Sequence, residues 1–255
     1  MNKAVEVKSR EELAIMRRAG AVVADILALL SAAVKPGMTT GDIDRIAREE
    51  LKKRGAKPAF LNYHGFPGVI CVSINREVVH GIPSGARNLD SGDIVGLDFG
   101  CVIDGWYADS AVTVGVGEIS PEAERLVRVT RESLEKGIAA VKAGARIGDI
   151  GAAVQGHAEA AGYSVVREFV GHGIGRALHE EPPVPNYGKA GSGPRLKAGM
   201  TIAIEPMVNA GGPEVSTLAD GWTAVTKDGR LSAHFEHTVA VTEDGYDVLT
   251  LPSKA

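Results

Sequence analysis

Residues 96–117 read GLDFGCVIDGWYADSAVTVGVG. Asp104-Gly105, set between two apolar-rich runs, is a strong two-residue hairpin signal. Such a turn pairs Ile103 with Trp106 and sets Asp98 opposite Ala111. Asp109 lies two residues from Ala111, so both aspartates leave the same face as diagonal neighbours, about 7–8 Å apart along the backbone. Carboxylates on an otherwise apolar face are costly without a positive partner. The stretch is therefore either a half-exposed ribbon with two solvated acids or one wall of a cation site.

Composition narrows the setting. With 255 residues, 44% hydrophobic and 24% charged, the chain is long and apolar enough to bury an ordinary core. A net charge of −4 supplies no basic field for holding nucleic acid. Cys71 and Cys101, with no C-x-x-C spacing, fit a reducing compartment. The opening MNKAVEVKSREE lacks the apolar core of a signal peptide. The most apolar run, 19–34, is short and carries Asp25, so it reads as a buried helix and not a membrane span. The expected location is the cytoplasm.

Local signals place the elements. Ser9-x-x-Glu12 is a capping box opening a helix to about Ala33, stopped by Pro36-Gly37. A second helix runs from about Gly41 to Gly55. Residues 56–68 form an aromatic-bearing loop, and 69–75 (VICVSIN) a strand. Ser120-Pro121-Glu122 caps a helix reaching about Ala143, and another spans about 147–161. Strands and loops follow Gly162.

This order contains a repeat. Val34-Lys35-Pro36-Gly37 with Gly41-Asp42-Ile43 recurs as Val141-Lys142-Ala143-Gly144 with Gly148-Asp149-Ile150, a spacing of 107 (34 to 141). The same spacing carries Gly55 onto Gly162, Leu89-x-x-Gly92 onto Leu196-x-x-Gly199, and Asp98 onto Glu205. Asp109-Ser-Ala-Val-Thr-Val aligns with Glu236-His-Thr-Val-Ala-Val at a wider spacing of 127 (109 to 236), the extra residues falling near 211–221. Two similar helix–helix–sheet halves, about 10–117 and 120–245, thus make one domain across 1–255. Duplication turns two acids into four: Asp98, Asp109, Glu205 and Glu236.

Four carboxylates alone suit magnesium, calcium or manganese, and a histidine shifts the preference toward iron, cobalt, manganese or zinc. Of seven histidines, His157 is expected to be exposed and inert. His237 faces away from Glu236 on its strand, and His234 is a neighbour of the site rather than a ligand. His64 reads as an isolated histidine without function. His172 sits in Gly171-His172-Gly173-Ile174-Gly175, where glycines leave room for a ligand to approach the backbone. A zincin H-E-x-x-H is excluded at His179, because Pro182 and Pro183 follow and no second histidine does. The G-x-G pattern lacks the strand-to-helix unit of a dinucleotide site.

The segments GLDFG and DGWYADSAVTV, EFVGHGIGRALHEEP, TIAIEPMVN and SAHFEHTVAVT together resemble the type I methionine aminopeptidases, over nearly the whole chain. The resemblance implies the α+β pita-bread fold, two pseudo-two-fold-related halves sharing a curved antiparallel sheet. It implies two divalent ions (iron, cobalt, manganese, zinc or nickel) on Asp98, Asp109, His172, Glu205 and Glu236, with Asp109 and Glu236 shared and Asp98 private to one ion. A hydroxide between the ions would attack the scissile carbonyl, and the substrate amine would bind a metal. Glu205 would shuttle the proton, His179 would polarise the carbonyl and His80 would hold the peptide nitrogen side.

The methionine side chain would sit among Phe60, Tyr63, Phe66, Cys71, Leu178 and Trp222. Phe60, Phe66 and Leu178 depart from the bacterial pattern, which has cysteine, tyrosine and an aromatic there; that puts pocket shape in question, not methionine preference. Implied substrates are N-terminal Met peptides and nascent chains near the ribosome, with a small second residue; no nucleic-acid or membrane partner is implied, and a monomer is expected. The nearest rival is an X-Pro aminopeptidase or prolidase, which usually carries a large N-terminal domain. A type II enzyme would need a helical insertion between Glu205 and Glu236. A non-catalytic module on this fold would have lost ligands that are all present here.

Overall fold

Two helices, α1 (Arg10–Ala33) and α2 (Thr40–Lys53), open the computed structural model, which describes residues 5–252. The first four residues of the stretch MNKAVEVKSREE lie outside the described residues. Short strands β1 (Lys57–Pro58), β2 (Ile70–Ile74) and β3 (Glu77–Val79) lead to the long hairpin β4 (Ile94–Ile103) and β5 (Trp106–Gly115). A second helix pair follows, α3 (Pro121–Ala139) and α4 (Ile147–Ala160). After it come β6 (Ser164–Val165), β7 (Gly171–Gly173), β8 (Glu180–Val184), β9 (Thr201–Ile204) and β10 (Met207–Asn209). The chain closes with β11 (Val215–Thr217), β12 (Ala224–Thr226), β13 (Ser232–His234), β14 (Glu236–Val241) and β15 (Tyr246–Val248).

The local signals act as physics requires. Ser9 Oγ accepts from the Glu12 amide at 3.3 Å while Glu12 Oε2 accepts from the Ser9 amide at 2.9 Å, closing the capping box of α1. Along α1, Met16, Ala19, Val23, Ile26, Leu27 and Leu30 recur at helical spacing and are buried. The expected α3 is corrected: it stops at Ala139, not near Ala143. The reason is the turn after it, where Gly144 at φ +88° donates to the Leu196 carbonyl at 3.0 Å. The strand expected at 69–75 is shorter by one residue at each end, and the 56–68 loop contains β1 and a single 3-10 turn at Tyr63–Gly65.

The 107-residue spacing holds in the backbone. Gly37 donates to Leu89 O (2.8 Å) as Gly144 does to Leu196 O, and Thr40 donates to Arg87 O (2.8 Å) as Ile147 does to Pro194 O (3.0 Å). Isolated bridges pair Thr39 with Asn88 and Arg146 with Arg195. Asp42 and Asp149 cap their helices by accepting from the amides of Thr39 (3.1 Å) and Arg146 (2.7 Å).

Among the described residues the main sheet has nine antiparallel strands, ordered β1-β4-β5-β14-β9-β7-β8, with β2 beside β4 and β15 beside β14. One face carries the helices. Leu97 and Phe99 pack with Ala19, Val23 and Ile43 on one half, and Ile202, Ile204 and Val239 pack with Leu134, Ile138 and Ile150 on the other. Strand alternation therefore aims the intervening residues of β4, β5, β9 and β14 at the opposite face. At the centre, β5 and β14 share only the pairs Ala111–Glu236 and Ser110–His237. Beyond them β15 takes over as the neighbour of β14. Thr238 stands at the parting point: its Oγ1 donates to Asp109 O at 2.8 Å and accepts from Asp109 N at 3.1 Å.

Candidate metal centre

Register builds the site. The turn at Asp104-Gly105 pairs Ile103 with Trp106, so Asp98 lies across from Ala111. On the other side of β5, Ala111 faces Glu236. Asp98, Ala111 and Glu236 thus form one row across three strands, and the small alanine leaves the space between the two acids open. Asp109 is two residues along β5 on the same face. Ile204 pairs with His237, so Glu205 follows β9 directly and continues that row beside Glu236. His172, on β7, completes the group from the next strand over.

Ligand atoms of Asp109, His172 and Glu236 all lie within 4.8 Å of one another. Glu205 joins them, with Oε1 3.6 Å from His172 Nε2. The His172 Nδ1 lies 2.9 Å from the Gly173 carbonyl, so it carries the ring proton and leaves the Nε2 lone pair free. Burial holds His172 neutral, its pKa pushed down to about 3, with His179 adding to the effect. Burial likewise pushes Asp98 up to about 7 and, with mutual repulsion, drives Asp109, Glu205 and Glu236 well above the ordinary carboxylate range.

The fit to cations rests on orphaned oxygens. Asp98 Oδ1, Asp109 Oδ1 and Glu236 Oε1 are buried without a hydrogen-bond partner among the described residues. None of the described residues lining the pocket is Lys or Arg. Carboxylates collected in this way are strongly unfavourable when ionised, and divalent cations relieve the repulsion directly. The mixed carboxylate–imidazole donors suit first-row transition metals.

The pocket in front of the acids has a volume of about 270 Å³ and is lined by all thirteen candidate residues together with His64. Phe60, Tyr63, Phe66, Cys71, Leu178 and Trp222 make its apolar wall, with Phe66 edge-on to Trp222 at 5.1 Å. Cys71 pairs in register with Asp98. Burial and the nearby acids raise its thiol pKa far above the usual range, so it stays a neutral wall. His80 adopts φ +62°, unusual for a residue with a side chain, and its ring meets Phe169 edge-on at 5.3 Å. Burial lowers its pKa to about 4. His179 stands at the mouth, its Nδ1 2.6 Å from the Tyr63 hydroxyl and its ring 4.2 Å from His172. Loss of hydration on its inner edge, then His64, lowers its pKa.

Three expectations are corrected. His64 lines the pocket, brought there by a backbone with φ +48° that no local sequence signal foretells. The glycines of GHGIG make room for neighbouring strands, not for a ligand: a Cβ at Gly171 would strike Ala203 O, and one at Gly173 would strike Glu181 O. His157 is half-buried and bridges α4 to α3 through Glu132 at 3.0 Å. His234 lies behind Glu205, 3.8 Å from Oε2, buried and with Nε2 unpartnered among the described residues.

A sheet that gathers buried acids and one neutral histidine beside an apolar pocket defines a metal-dependent hydrolase. The profile of metallopeptidase family M24 matches residues 14–243, and the chain belongs to that family. Methionine aminopeptidase 1 of Bacillus subtilis is 53% identical over 243 residues, 95% of this chain and 98% of that protein. The methionine aminopeptidase of Thermotoga maritima superposes with a TM-score of 0.96 at 47% identity, covering 97% of this chain and 100% of that one. The prolidase of Pyrococcus horikoshii, at 21% identity and TM-score 0.77, covers 97% of this chain but leaves a third of its own length unmatched (64% covered), and shows the shared fold alone. The chain is a metal-dependent aminopeptidase with the pita-bread fold, of the type I methionine aminopeptidase kind.

Proposed function

We propose that this enzyme removes the N-terminal methionine of peptides and nascent chains with the help of two divalent ions. The observation that carries the reading is the set of orphaned carboxylate oxygens on Asp98, Asp109 and Glu236, at the end of an apolar pocket. Asp98 would hold one ion, His172 and Glu205 the other, and Asp109 and Glu236, on the central strands, would serve both. Bound ions supply Lewis acidity, lowering the pKa of water toward neutrality and polarising the scissile carbonyl.

The chain's own groups do the rest. Glu205 takes the proton from the attacking water and delivers it to the leaving amine, a transfer suited to a carboxyl whose pKa is raised. The Tyr63 hydroxyl donates to His179 Nδ1, which leaves Nε2–H to hydrogen-bond the carbonyl oxygen as charge develops. His80 faces the peptide nitrogen. The wall from Phe60 to Trp222 accepts a flexible, unbranched thioether. His64, His80 and His179 line the pocket beside that apolar wall, which favours a small second residue. The same reading places a monomer in the cytoplasm, acting near the ribosome; among the described residues no helix is long and apolar enough to cross a membrane.

The test is peptide preference. Protein loaded with manganese or cobalt is expected to cleave Met-Ala-Ser and leave Ala-Pro peptides intact. The reverse preference would move the enzyme to the prolidase branch.

A further inference from the structure

Lys8 and Glu180 form an ion pair that the proposed chemistry does not use. Nζ lies 2.7 Å from Oε2, and the two side chains are 2% and 15% exposed. Burying such a pair contributes little net stability in general, but it fixes geometry, and losing one partner strands the other charge. The geometry fixed here is that of the segment joining β7 to β8, which carries Leu178 and His179 into the pocket.

Glu180 works with both oxygens. Oε2 accepts from Lys8, and Oε1 accepts from the Ala177 amide at 3.1 Å, inside that same segment. Lys8 is itself anchored: its amide donates to Gly199 O at 2.8 Å and its ammonium to Glu6 O at 3.2 Å. The strap sits directly on the turn. A Cβ at Gly175 would come within 2.5 Å of Lys8 Cε and 2.8 Å of Nζ. Glu180 opens β8 directly after His179, so the strap that holds its carboxylate also fixes the backbone that carries the histidine.

We propose that Lys8 is a positioning residue for His179, acting through the Glu180 carboxylate from the far side of the turn. The inference rests on the reading of His179 as a substrate-facing group. Misplacing such a group by about 1 Å costs up to about a hundredfold in rate.

The experiment compares hydrolysis of Met-Ala-Ser by manganese-loaded wild type, Lys8→Met, His179→Ala and the double variant, well below the Tm of each. Lys8→Met is expected to lower kcat about tenfold with KM within about threefold, and Lys8→Arg to recover most of the loss. In the His179→Ala background the same lysine change is expected to alter kcat less than about twofold, because the group it positions is gone. Equal losses in both backgrounds, or wild-type kcat in Lys8→Met, would overturn the proposal. A fully active His179→Ala would instead remove the reading on which it rests, whatever Lys8 does. Should Lys8→Met fail to fold, Glu180→Gln serves in both backgrounds: about a threefold loss is expected beside His179 and none without it. Loss of equal size in both again overturns it.

Discussion

Replacing Thr238 by valine tests how the sheet holds its central acid. In an antiparallel strand the N–H and C=O of one residue point to the same neighbour. Those of Asp109 point at β14, and both end on Thr238 Oγ1, at 3.1 and 2.8 Å. Thr238 is completely buried and Asp109 only 4% exposed, so water does not replace the hydroxyl. Valine keeps the volume and leaves two backbone groups unsatisfied. At about 1–3 kcal/mol each, moderated by relaxation, the loss is about 3 kcal/mol. For a chain of this size that lowers Tm by about 6–12 °C. The displaced Asp109 is also expected to weaken ion binding about 10- to 100-fold, the usual effect of removing a group that orients a ligand. Titration calorimetry of the metal-free protein with manganese measures it directly. Thr238→Ser, which keeps the oxygen, should bind within about threefold of wild type. A valine variant with wild-type affinity would show that the hydroxyl does not orient the acid.

Asp109→Asn removes the carboxylate proposed to be shared; calorimetry should find no more than one ion bound, and turnover should fall at least about a thousandfold. Near-normal turnover would refute the sharing. Gly171→Ala drives a Cβ into the Ala203 carbonyl and pushes β7, with His172, off β9; thermal melts should show a loss of about 1–3 kcal/mol, and an unchanged melt would refute the close approach. Metal-free protein should respond to pH in a particular direction. Asp98 is raised to about 7, so its contribution to stability is present below its ordinary pKa near 3.8 and lost as pH rises to 7. His172 and His234, lowered to about 3, oppose this: their contribution grows as pH rises from 3 to 6.5. Above pH 6.5 the histidines are silent, while Asp98 still loses its proton as the pH passes 7. The Tm gap between ion-loaded and chelator-treated protein should therefore widen between pH 6.5 and 8 in fluorimetric melts; a constant gap counts against the clustered charge.

Much of the centre was legible because its determinants are local. A two-residue turn and a side-chain period of two fix the face of Asp98 and Asp109 without reference to the remaining chain, and the register agrees residue for residue. The 107-residue spacing then carries that logic to Glu205, and the helix caps and turns of both halves repeat the same backbone bonds. Illegible features depend on strands far apart in sequence. Gly171 and Gly173 looked like room for a ligand, but the bodies approaching them are the backbones of β9 and β8. His64 enters the pocket through a left-handed backbone that its sequence neighbourhood does not announce.

The sharpest case is the question the hairpin itself left open, solvated acids or a cation wall. Nothing within residues 96–117 decides it, because burial of a face is settled by what comes up beside it. Glu236 supplies the answer by pairing with Ala111, which puts a third carboxylate in the same row as Asp98. Thr238 then opens the sheet two residues later by taking both backbone bonds of Asp109 onto its side chain. A continuous β5–β14 ladder would leave no place for β15 beside β14. Convergence of the acids and the parting of the strands are thus one arrangement, and its hinge is a threonine that carries no chemistry of its own.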